Sequence, residues 1–151
     1  PATSGLPTRG SGSHTGSMDA RRAQLPYTDA DVAEAVARLR SICAELPEVS
    51  ERLSHGDVTF FVRSKRVVAS IADDHHGDGR LALLAPAPPG VQEELTRTEP
   101  ERYFRPPYVG HRGWIGLRLD LDPDWDEVAA IVTEAYRLVA PRTLVRQLDP
   151  P

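Results

Sequence analysis

The chain predicts an α+β domain, an antiparallel sheet with helices packed on one side, and three observations carry that reading. Two β-prone runs, Val58-Thr59-Phe60-Phe61-Val62 and Arg66-Val67-Val68-Ala69-Ser70-Ile71, stand close enough in sequence to form a hairpin. Two apolar stripes of helical spacing flank the strand-rich middle and supply a layer to cover it. The short connections suit antiparallel pairing, and they leave no room for the crossovers of a parallel nucleotide-binding sheet.

The first helix opens at Thr28-Asp29-Ala30-Asp31, a capping hydroxyl with a carboxylate three positions on. Its stripe is Val32, Val36, Leu39, Cys43 and Leu46, and Pro47 ends it. Cys43 therefore faces the core as a structural thiol, with no cationic neighbour to activate it. After the hairpin, Ala72 to Gly79 reads as a turn, and Arg80 to Leu84 as a third antiparallel strand. Pro86, Pro88 and Pro89 interrupt the chain before a short helix around Val91 to Leu95. Trp114 to Leu119 alternates as a half-exposed strand, and Asp122-Pro123-Asp124 opens a last helix through a capping aspartate. Val128, Ile131 or Val132, Ala135 and Val139 form its stripe, and Pro141 stops it.

A chain of 151 residues, 40% of them hydrophobic, holds one core, placed here at residues 27–148 with 149–151 as a tail. Residues 1–26 are rich in Gly, Ser, Thr and Pro and are expected to be disordered; the run Gly10 to Ser17 suits an expression linker as well as a native tail. That segment carries +2 and the remainder −6, so a generic polyanion binder is excluded and any contact with nucleic acid needs a local basic patch. The single cysteine excludes an intramolecular disulfide and a cysteine-cluster metal site. With no apolar run of spanning length, a cytoplasmic protein without membrane contact is the expectation.

Several segments resemble one family. They are Leu39 to Glu48 with Glu51, His55-Gly56, Lys65, the long run Pro106-Pro107-Tyr108-Val109-Gly110-His111-Arg112-Gly113-Trp114, Asp124 to Val128, and Ala135 to Pro141. From about Thr28 to Leu148 the chain resembles the MmcQ/YjbR family of small bacterial domains. The resemblance implies a CyaY-like, or double-wing, α+β fold, and the DNA-binding label that members commonly carry is an analogy from architecture. Where relatives often have an aromatic shortly after the hairpin lysine, this chain has Arg66-Val67-Val68. That departure bears on any pocket beside the strand.

Two functional readings compete. In the first, a non-enzymatic module contacts DNA through Arg63, Lys65 and Arg66 on the hairpin tip together with Arg102, Arg105 and Arg112, which are interleaved with aromatics. In the second, a small ligand or a protein occupies the surface around Tyr103, Phe104, Tyr108 and Trp114, with His111 and the arginines at its rim; a cavity beside Trp114 would favour it. Tyr108 and Trp114 are also natural core anchors. No cofactor is implied. Asp73, Asp74, His75, His76 and Asp78 are metal-competent types crowded into one turn, where neighbours seldom converge on one centre. Ser54-His55-Gly56-Asp57 holds nucleophile, base and acid types, but adjacency is not convergence, and neither a nucleophile elbow nor a phosphate-cradling loop accompanies it.

Overall fold

The computed structural model describes residues 12–149. Thr28 caps the helix α2 (Asp29–Ala44) as expected: its side chain accepts from the Asp31 backbone N–H, and the Asp31 carboxylate accepts from the Thr28 N–H. Ala35, Leu39 and Cys43 are buried on its inner face, while Val32 and Val36 are half-buried at its edge. Burial pushes the Cys43 thiol up to about 12, as a structural cysteine requires.

The sheet has six antiparallel strands in the order β1-β2-β3-β4-β6-β5. Its strands are β1 (Val49–Ser54), β2 (Asp57–Val62), β3 (Arg66–Asp73), β4 (Leu81–Ala85), β5 (Tyr103–Phe104) and β6 (Ile115–Arg118). The hairpin and the third strand fall where the sequence places them. β1 and β5 are additional: β1 is an edge strand whose charged, mostly exposed side chains carry no burial pattern, and β5 is two residues long. β6 is buried along Ile115, Gly116 and Leu117 rather than half-exposed, because side chains cover both of its faces.

The shorter helix α3 (Val91–Thr98) starts after Gly90 and runs three residues further than expected. α4 (Trp125–Val139) is capped by Asp124, which accepts from the Asp126 N–H at 2.9 Å, and not by Asp122. Pro123 disfavours right-handed helical backbone at the residue before it, and Asp122 takes φ 49° instead. A further helix, α5 (Arg142–Leu148), follows Pro141 and buries Leu144. α4 lies across β3 and β4, and α2 packs beside it. Val128, Val132, Ala135, Tyr136 and Val139 meet Phe60, Val62, Ile71, Leu83, Ile115 and Leu117 in the core.

Part of the expected disordered tail is ordered. α1 (Gly12–Ala23) precedes the domain, and residues 1–11 lie outside the described segment. Its last turn is held by charge: Arg21 clamps Asp74 at 2.7 and 3.0 Å, and Arg22 reaches Asp29 at 2.8 Å and Asp73 at 3.2 Å. The isolated composition hides this, since two of the partner carboxylates, Asp73 and Asp74, sit some fifty residues away at the end of β3. Arg21 holds Asp74 below the usual carboxylate range through their hydrogen bond.

Tyr136 is fully buried, and its hydroxyl donates to the Pro47 carbonyl at 2.7 Å, tying α4 to the connection between α2 and β1. Replacing it with Phe keeps the ring and leaves that carbonyl without its donor. The expected loss is about 1–2 kcal/mol, read from urea unfolding with an unchanged m-value.

Candidate functional site

The two faces of the sheet differ sharply. The helices cover one. On the other, antiparallel register aligns one residue from each strand in a single row: Arg52, Thr59, Ser70, Leu84, Gly116 and Phe104. Directly opposed residues share a face, so this row forms a continuous floor. At its β5 end the Phe104 ring lies over Gly116, where an added Cβ would come within 2.4 Å of it, and the Arg80 guanidinium stacks on that ring at 4.3 Å. At the β2–β3 end the buried Thr59 and Ser70 hydroxyls face each other at 3.2 Å.

Between these ends a cleft of about 580 Å³ opens under the loop that follows β5. Thr59, Ser70, Leu84 and Val67 floor it, and Pro107, Tyr108, Val109, Arg112 and Trp114 form one side. His55, Asp57, His75 and His76 form the other. They come from two neighbouring turns, bridged where Nδ1 of His75 lies 3.4 Å from Asp57. The His75 and His76 rings meet edge-on at 4.2 Å, and His76 faces Tyr108 at 5.2 Å. The Ser54-His55-Gly56-Asp57 run is thus a tight hairpin turn, with His55 at φ 52° and Gly56 at φ 84°, and its side chains wall the cleft.

Gln92 sets the loop's height above the floor. It is buried on α3, and its Nε2 donates to the Gly110 carbonyl at 2.7 Å and the Trp114 carbonyl at 2.6 Å. Sequence reasoning passed over it, since a lone Gln in a short amphipathic helix carries no signal.

The arginines expected at the site divide into two groups. Arg102 is withdrawn from it, because Glu127 at 2.6 Å and Glu99 at 3.1 Å hold its guanidinium; Tyr103, also buried, donates to Glu127. Arg63 on the hairpin tip faces Glu48 at 3.4 Å. Arg105 is exposed but stands away from the cleft, its side chain packed against Gly110, and His111 is exposed outside the lining. Arg112 lines the cleft, while Lys65 and Arg66 line a second groove adjoining it. Tyr108 is no core anchor: at φ 65° and 74% exposed it stands on the rim. Trp114 is half-buried, its ring a wall of both spaces. The Asp73 to Asp78 turn is taken up by structure, with Asp74 clamped by Arg21 and Asp73 accepting the Tyr27 hydroxyl at 2.7 Å.

These features define a small α+β domain with a ligand-sized cleft on the helix-free face of its sheet. The YjbR family profile matches residues 44–138, and the chain belongs to that family. Among solved structures it is similar to the Deinococcus radiodurans protein DR2400, a DUF419 domain: 26% identity, 77% of this chain and 88% of that one covered, TM-score 0.60. No curated protein matches the chain.

Burial holds the Asp57 carboxyl above its ordinary value of 3.8. Its ionisation therefore disfavours the fold: the associated stability is complete below the ordinary value and is lost as pH rises through the raised one. Asp57→Asn should flatten that part of the stability–pH curve, measured by thermal unfolding between acid and neutral pH. Gln92→Leu, which orphans two carbonyls, should cost about 1–3 kcal/mol. Faster amide exchange at residues 110–114 than in the α2–α4 core would accompany it.

Proposed function

We propose that this domain is a non-enzymatic binding module whose cleft takes a planar, partly polar small molecule. The observation that carries the proposal is the cleft's composition: aromatic and imidazole walls from Trp114, Tyr108, His55, His75 and His76 over a floor that pairs Leu84 and Val67 with two hydroxyls. A flat ring gains stacking from such walls, and the Thr59 and Ser70 oxygens, whose protons go to the Asp57 and Val58 carbonyls or to each other, accept hydrogen bonds from it. Its volume lies within the range of sites that enclose small organic ligands. Val67, where an aromatic would intrude, leaves the space open beside β3.

DNA is the weaker reading. Of the six basic side chains expected to meet phosphates, Arg102 and Arg63 face carboxylates, and Arg105, exposed and without an ion pair, stands apart from Lys65, Arg66 and Arg112, which gather at one groove. Three such contacts on a chain of net charge −4 give weak, salt-sensitive binding.

The test is a heteroaromatic fragment screen followed by chemical shifts. Hits should move Thr59, Ser70, Leu84 and the Trp114 indole, and Val67→Trp, which fills the cleft, should abolish the shifts without lowering the melting temperature. Hits that cluster elsewhere, or that survive Val67→Trp, overturn the cleft reading. Anisotropy at low salt with labelled duplex DNA decides the second: tight binding insensitive to Val67→Trp would put DNA first.

A further inference from the structure

A second groove, about 370 Å³, runs from the cleft toward the hairpin tip, lined by Lys65, Arg66, Val67, Pro86, Arg112, Trp114, Leu138 and Val139. It contains three cations and no carboxylate. The two spaces share Val67, Arg112 and Trp114, so they meet over one edge of the open sheet face. Eight of the described arginines, Arg63 and Arg102 among them, stand in ion pairs, while others, such as Arg52, Arg80 and Arg105, have none. Lys65, Arg66 and Arg112 also have none among the described residues, and what sets them apart is that they gather around one groove without a carboxylate in its lining. Arg66 meets only the Val139 carbonyl, at 3.4 Å, which leaves most of its donors unused.

Like charges gathered around one concave space repel one another, and an anion placed among them relieves that repulsion. Guanidinium and ammonium groups together suit phosphate oxygens, the former through paired N–H donors and the latter as a point charge. We infer that the basic groove is the anion subsite of the same ligand, so that the domain takes a molecule with a planar head in the cleft and a phosphate group in the groove. The inference rests on the cleft reading for its head and on the groove alone for its charge. A free nucleotide and the terminus of a single strand share this chemistry.

Trp114 reports on both spaces, and Trp125→Phe makes it the sole tryptophan. Quenching of its fluorescence would be titrated with adenosine, inorganic tripolyphosphate, adenosine triphosphate and an oligothymidylate, each at low and high salt. Adenosine triphosphate should bind at least about tenfold tighter than adenosine, with the difference erased by salt. Lys65→Gln/Arg66→Gln, two exposed positions outside the cleft lining, should bring the triphosphate to the adenosine level and leave adenosine itself unchanged. The charge-keeping Lys65→Arg/Arg66→Lys pair should retain the difference. Tripolyphosphate lost in the Gln pair while adenosine fails to bind anywhere would uphold the groove and sink the cleft reading. Adenosine and its triphosphate binding equally, tripolyphosphate indifferent to the Gln pair, or no binding by any probe would overturn the anion subsite. Preference for the oligothymidylate over the nucleotide, lost in the Gln pair, would keep the subsite and assign it to nucleic acid.

Discussion

The register of the sheet governs everything built on its exposed side. Because all six strands pair antiparallel, Arg52, Thr59, Ser70, Leu84, Gly116 and Phe104 fall in one line, and the chemistry of the floor is decided by which six side chains that line selects. A slip of one residue would turn Phe60, Ile71 and Leu83 out of the core and remove the hydroxyl pair from the cleft. The helix-facing core holds the register, and the cleft inherits it.

The loop over the floor is placed by three local contacts of different kinds. Phe104 needs a glycine beneath it at 116, Arg105 needs one beside it at 110, and Gln92 gathers the carbonyls of Gly110 and Trp114. Each fixes one point of a segment that has little regular structure. Together they hold Trp114 half-buried with its ring between two spaces, while Tyr108, after the rigid Pro106-Pro107 pair, is carried out to the rim.

Charge is used unevenly. Several arginines serve as clips between elements: Arg21 and Arg22 fasten α1 to the β3–β4 turn, Arg40 joins α2 to β1 through Glu51 at 2.7 Å, and Arg102 joins the entry to β5 with α4 through Glu127. At the surface such pairs add modest stability each and define geometry more than energy. No helix among the described residues is long and apolar enough to cross a membrane.

The α+β class, the hairpin, the third strand, the capping box of α2 and the buried stripe of α4 follow from the sequence alone, because each rests on local periodicity or on a cap closed within a few residues. β1, β5 and α1 do not, because pairing or charge contact with distant segments stabilises them, and a six-residue strand of mostly exposed polar side chains looks like a loop. The site divides the same way. Its richest segment, Tyr103 to Trp114, stood out by composition, and Arg112 and Trp114 do line the cleft. Which of the neighbouring arginines face the cleft and which are spent on Glu48, Glu99 and Glu127 depends on residues brought together only by folding. The hydroxyl floor and the histidine wall come from four separate segments, and only antiparallel register sets them across one space.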